Sequence, residues 1–191
     1  MDLYKFKYTF NDFKANLILF FVLFIFNTII SLPFSYYSTF YIEEKFGFNK
    51  TTGKTFLLDK LKGYLLGAVL GGLILGALLY LIDLLNGNFW IVFWLTITIF
   101  MIVMNMFYTT LILPLFNKLT PLEDGSLRQA ITAYSKKVGF PLTNIFVIDG
   151  SKRSSKANAF FSGFGKKKKV VLYDTLIDNH SEEELVAIFA H

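Results

Sequence analysis

GYLLGAVLGGLILGALLYLI, residues 63–82, runs for twenty positions without an ionised side chain, bounded by Lys60 and Lys62 before it and Asp83 after it. A helix rises about 1.5 Å per residue, so this stretch matches the ~30 Å hydrocarbon core of a bilayer. Gly67, Gly71, Gly72 and Gly76 recur within it at spacings of four or five. Such a stripe lets helix backbones approach closely in a membrane, and the ordinary tolerance of membrane helices for glycine accounts for it equally well.

Working outward, residues 84–117 are 34 positions with no ionised group. They are too long for one upright span and too short for two with a turn, and read as one span near 89–110 with an apolar exit. Towards the N-terminus, residues 17–32 are almost wholly Leu, Ile, Phe and Val, interrupted by Asn27, Thr28 and Ser31. Pro33 follows, and the aromatics from Phe34 to Ile42 lie at interface depth. Three such runs in succession exclude a buried core helix as the general explanation, so spans are expected at about 17–34, 63–83 and 89–110. Lys5, Lys7 and Lys14 form a basic flank, but no small-residue cleavage site follows the first run, which reads as an uncleaved span.

The composition agrees. The 191 residues are 54% hydrophobic with 23 phenylalanines, and 17% charged against about 25% in soluble domains. That hydrophobicity excludes disorder, and the absence of cysteine excludes a disulfide scaffold, a Cys-ligated zinc finger and a thiol nucleophile. Residues 1–117 hold 8 of the 19 Lys and Arg and 6 of the 14 Asp and Glu, leaving a charge-rich segment over 118–191. Lysines 45, 50, 54, 60 and 62 of the first loop share a side with Lys118, Arg128, Lys136 and Lys137, whereas the 83–88 turn carries no Lys or Arg. The basic side, with the C-terminal domain, is therefore expected in the cytoplasm, where the Asn49-Lys50-Thr51 sequon is not glycosylated.

Beyond Pro121 the pattern becomes that of a water-facing α+β domain. Leu127, Ile131, Tyr134 and Val138 share a helical face that Gly139 and Pro141 terminate. Residues 145–148 read as a strand ending in the Asp149-Gly150 turn, and 157–162 and 170–173 as two more. Ser181 and Glu184 form a capping box ahead of an apolar run. That helix stops mid-pattern at His191, which predicts that the polypeptide continues. Gly163-Phe164-Gly165 lacks the context of a phosphate loop. Lys166 to Lys169 read as a solvated hairpin tip rather than a nucleic-acid or lipid patch, and no nucleic-acid partner is expected. His180 reads as a surface residue beside the cap. His191 taken alone, on the inner part of an amphipathic helix, reads by base rate as a satisfied core histidine.

Together these segments resemble the type I CAAX prenyl proteases, integral-membrane zinc metalloendopeptidases. The resemblance is carried by LPFSYYSTF at 32–40, IEEKFGFNKTT at 42–52, PLFNK at 114–118 and PLE at 121–123. It continues through FVIDGSKRSS at 146–155, NAFF at 158–161, GFGK at 163–166 and VLYDTL at 171–176. It implies a mainly α fold: multi-pass transmembrane helices over 1–117, then the start of an α+β zinc-metallopeptidase domain over 118–191. In that family the helix opening with Glu-Glu-Leu-Val-Ala carries H-E-x-x-H, in which two histidines four apart share one Zn²⁺ and the Glu activates water. Glu183 to Ala187 match that opening, which aligns His191 with the first histidine and places the Glu, the second histidine and a later glutamate ligand beyond the chain.

The resemblance further implies that Asn158, Ala159 and Phe160 form the edge strand on which substrate main chain is laid; a plain structural strand is the other reading. It implies a protein substrate cleaved after a prenylated C-terminal cysteine, or processing of membrane proteins in a bacterium. The corresponding site is a bacterial inner membrane, or the endoplasmic reticulum and nuclear envelope of a eukaryote. A further helix ahead of the first span is also expected. A single imidazole does not hold catalytic zinc, so the 191 residues alone are expected to be inactive. The competing class is a non-catalytic membrane scaffold. Glu and His at the first and fourth positions after His191 distinguish the two.

Overall fold

The structure is a computed structural model that describes residues 10–85, 89–163 and 168–190. His191 lies outside them, as do Phe164, Gly165, Lys166 and Lys167. Three long helices carry the apolar runs: α1 (Phe10–Tyr37), α2 (Gly53–Leu85) and α3 (Phe89–Phe107). Each contains a segment long and apolar enough to cross a membrane. α1 passes through Pro33 and continues into a π-helical turn, Ser38–Glu43. α3 does the same, running into the π turn Tyr108–Ile112 and the short α4 (Leu113–Phe116), which Pro114 opens. Neither π turn follows from a 3.6-residue period, which is why sequence periodicity does not reveal them.

The chain divides into two compact units, the described parts of Met1–Tyr37 with Leu57–Val103, and of Ser38–Phe56 with Met104–His191. In the first, the glycine stripe of α2 receives the phenylalanines of α1. A β-carbon on Gly71 would meet Phe20 Cζ at 2.8 Å, and one on Gly72 would meet Phe21 Cζ at 3.3 Å. Close approach, rather than mere tolerance of glycine, is what these positions provide.

The second unit is built on a four-stranded sheet in the order β1-β2-β4-β3, from β1 (Leu119–Pro121), β2 (Leu142–Ile148), β3 (Ala159–Ser162) and β4 (Lys168–Tyr173). β2 and β4 are parallel, and the outer strands run antiparallel to their neighbours. Alternation sends Ile145, Val170 and Leu172 to one face, where they pack with Leu127 and Ile131 of α5 (Ser126–Lys137). Leu176 of α6 (Asp174–Asn179) and Leu185 and Phe189 of α7 (Glu182–Ala190) complete that core. Ile148 and Val171 pack on Leu113 at the other face.

The three expected strands end where the sequence puts them but begin elsewhere. β2 starts three residues before Ile145, and β3 starts at Ala159 rather than Ala157. β1 is only three residues long and has no apolar alternation to betray it. Val138 is 53% exposed instead of sharing the buried face of α5, because it is the helix cap, and Gly139 turns away at φ +67°. Lys168 and Lys169 are not at a hairpin tip. They begin β4, with their ammonium groups 4.4 Å and 5.6 Å from the ring centroids of Phe140 and Phe146. The capping box is present: Ser181 N–H donates to Glu184 Oε2 at 2.8 Å, and Glu184 N–H donates to Ser181 Oγ at 3.3 Å.

Candidate substrate-binding edge strand

β3 pairs with β4 on one side only, so its other side is a sheet edge. The opposite edge, β1, is short and ends in Pro121, a proline that blunts further pairing. Tyr173 N–H donates to the Asn158 carbonyl at 3.0 Å, while Ala159 lies opposite Leu172. In an antiparallel ladder this register turns the main-chain groups of Asn158 and Phe160 towards β4, and those of Ala159 and Phe161 outwards.

Asn158, an exposed residue, uses its side chain on that edge: its Oδ1 accepts the outward Ala159 N–H at 2.9 Å. Phe160 packs the other way, with its ring centroid 6.3 Å from Tyr108 and 6.5 Å from Tyr173. The structure places the main-chain groups of Ala159 and Phe161 outward, the Asn158 side chain beside them, and the main chain of Phe160 towards β4. Phe161 is not among the residues singled out from sequence. The period-2 alternation from Ala159 is the available signal.

A cavity of about 270 Å³ lies along this edge between β3 and the α6 and α7 helices, lined by Ala159, Phe161, Leu172, Leu176, Ile188 and Phe189 among others. Phe161 stands 5.3 Å from Phe140 and 5.6 Å from Phe189, centroid to centroid. The wall is thus apolar and aromatic, with an exposed main-chain edge along one side.

Among the described residues no three His, Cys, Asp or Glu side chains come together to hold an ion. His180 Nδ1 lies 3.0 Å from the Leu176 carbonyl oxygen, a contact within its own turn. The described residues do not by themselves fit a zinc ion.

The described residues thus combine helices long and apolar enough to cross a bilayer with a small mixed sheet whose open edge strand lies beside an apolar cavity. Residues 3–118 match the family described as CAAX prenyl protease N-terminal, five membrane helices, and residues 121–191 match peptidase family M48. The chain belongs to this family of multi-pass membrane metalloendopeptidases, the M48 CAAX prenyl proteases. It is 44% identical over 167 residues to a probable CAAX prenyl protease 1 of Schizosaccharomyces pombe, covering 87% of this chain and 35% of that protein. It is 46% identical over 164 residues to a CAAX prenyl protease 1 homolog of Arabidopsis thaliana, covering 85% and 39%. The crystal structure of S. mikatae Ste24p superposes with a TM-score of 0.88 at 43% identity, over 92% of this chain and 42% of that one. The chain thus spans about two fifths of the length of these relatives.

Proposed function

We propose that this chain supplies the membrane helices, the substrate-binding edge strand and one metal ligand of a zinc metalloendopeptidase that cleaves proteins after a prenylated C-terminal cysteine. The observation that carries the reading is the open edge of β3, with Ala159 and Phe161 presenting main-chain groups beside an apolar cavity. An extended peptide adds to such an edge through its own main chain, whatever its sequence, and the neighbouring pocket selects its side chains. Asn158 Oδ1 must give up the Ala159 N–H as the peptide docks, and its amide then becomes available to the peptide main chain. The aromatic wall of Phe140, Phe161 and Phe189 suits an apolar substrate group.

His191 is proposed as the first zinc ligand, with Glu and His expected at the first and fourth positions after it. Residues 1–117 form the membrane region and 118–191 the beginning of a cytoplasm-facing peptidase domain. The placement follows from the lysines at 45, 50, 54, 60 and 62 and the basic residues after the third span. A eukaryotic host puts the protein in the endoplasmic reticulum or nuclear envelope, and a bacterial host in the inner membrane, where unprenylated membrane proteins take the place of the substrate.

The test is to incubate the detergent-purified full-length protein with farnesylated and unmodified CAAX peptides and to identify products by mass spectrometry. Release of the terminal tripeptide, faster from the farnesylated peptide, is expected. No cleavage of either by zinc-loaded protein would leave the membrane-scaffold reading in its place.

A further inference from the structure

The connection from β2 to β3 has few main-chain partners of its own, and a buried or half-buried segment must find them elsewhere. Beyond the short 3-10 turn Gly150–Lys152, it is held by α6, where Thr175 Oγ1 donates to the Lys156 carbonyl at 2.9 Å, and by the loop between the first two membrane helices. Lys50 N–H donates to the Arg153 carbonyl at 3.0 Å, and Ser155 N–H donates to the Phe48 carbonyl at 3.0 Å. Thr51 Oγ1 donates to the Arg153 carbonyl at 3.0 Å. Gly47, at φ +71°, makes the turn that presents Phe48.

The two ends of the segment leading into and through β3 are gripped in a second way, by the two π turns. Glu43, the last residue of the first π turn, accepts a hydrogen bond from Lys156 Nζ at 2.7 Å, and that ammonium also lies 4.7 Å from the Phe48 ring centroid. Thr109, in the second π turn, accepts the hydroxyl hydrogen bond of Ser162, the last residue of β3, at 3.2 Å, and both side chains are buried. Next to Thr109, Tyr108 packs edge-on against Phe160. A π turn adds one residue to a helix and rotates the residues after it by about 100° relative to an uninterrupted α-helix. Glu43 closes the first turn and Thr109 lies within the second, so each contact to the β3 segment is made from inside a π turn.

We infer that the two π turns are positioning devices for the substrate edge: Glu43 fixes the entry to β3 through Lys156, and Thr109 fixes its exit through Ser162, so that Asn158, Ala159 and Phe161 keep their register. The inference rests on the edge-strand reading for its effect on substrate, but its structural half stands on the hydrogen bonds alone. Glu43 and Thr109 are positioning residues that act through Lys156 and Ser162. Their loss loosens β3 and weakens peptide docking more than it slows bond cleavage.

The test uses the full-length protein in detergent, with Thr109→Val, Thr109→Ser and Glu43→Gln. Amide hydrogen exchange over residues 153–162 is measured beside KM and kcat on a CAAX peptide. Thr109→Val keeps the volume but removes the acceptor, leaving a buried Ser162 hydroxyl without it; exchange in β3 is expected to quicken about tenfold, and KM to rise about fivefold with kcat within about twofold. Thr109→Ser restores both. Glu43→Gln quickens exchange over 153–158 and leaves the far end of β3 as it was. Unchanged exchange in β3 for Thr109→Val overturns the inference. If Thr109→Val does not fold, unchanged exchange in Glu43→Gln overturns it. Absence of cleavage by the wild type, with exchange behaving as described, overturns the substrate reading instead and leaves the positioning role in place.

Discussion

The ring of Tyr173 lies against Gly150, so that a β-carbon on the glycine would overlap Tyr173 Cδ1 and sit 2.9 Å from Cε1. Tyr173 cannot easily retreat, because its N–H is bonded to Asn158 and its ring is packed against Phe160. Gly150→Ala is therefore expected to destabilise the second unit by about 1–3 kcal/mol, the range for overpacking a fixed site. A thermal melt of the purified protein checks it, and an unshifted midpoint would show that the turn can move.

The glycines of α2 are predicted to be unequal. Gly71→Ala forces Phe20 aside, whereas at Gly63 nothing lies within 4 Å of an added β-carbon. Gly63→Ala should be neutral or stabilising by up to ~1 kcal/mol through helix propensity, and Gly71→Ala should lower the melting temperature. Equal behaviour of the two variants would remove the case for close packing of α1 on α2.

Asn158→Ala is expected to raise KM or lower kcat without loss of zinc from the full-length protein. The Oδ1 contact to the Ala159 N–H is local and exposed, so the fold has little to lose. Zinc measured by mass spectrometry alongside kinetics separates the roles: loss of metal would make Asn158 structural.

His191→Ala in the full-length protein should abolish peptide cleavage and zinc retention together, while the 191-residue chain alone should bind no stoichiometric zinc. Unchanged turnover in the variant would sink the alignment on which the metal assignment rests. Reading the native coding sequence beyond His191 tests the same assignment at the level of the gene.

Ser181→Ala removes an oxygen that caps α7 and is expected to cost about 1 kcal/mol, with Ser181→Asp restoring it. Denaturant unfolding of the second unit would record the loss. No difference between the alanine and aspartate variants would mean that Glu184 alone fixes the helix start.

Much of the architecture was legible because its causes are local. Uncharged runs of bilayer length, the Ser181 to Glu184 spacing and the Leu127, Ile131, Tyr134 stripe each report a single element from its own residues. The features that escape such reading depend on partners distant in sequence. β1 exists because Leu119 to Pro121 pair with Phe146 to Ile148, and nothing within those three residues announces it. The outward role of Phe161 follows from register against β4, and the positions of Lys168 and Lys169 from the rings of Phe140 and Phe146. The candidate site divides in the same way: Asn158, Ala159 and Phe160 are proposed from the resemblance of their string, whereas the contacts of Glu43 and Thr109 span intervals of 113 and 53 residues.

The loop after the first π turn is closed by one amide used at both ends. Asn49 Nδ2 donates to Glu44 Oε2 at 2.8 Å, its Oδ1 accepts Thr51 N–H at 2.8 Å, and its backbone bridges to Ser154. The folded loop therefore spends on its own hydrogen bonds a nitrogen that the unfolded chain would leave open to modification.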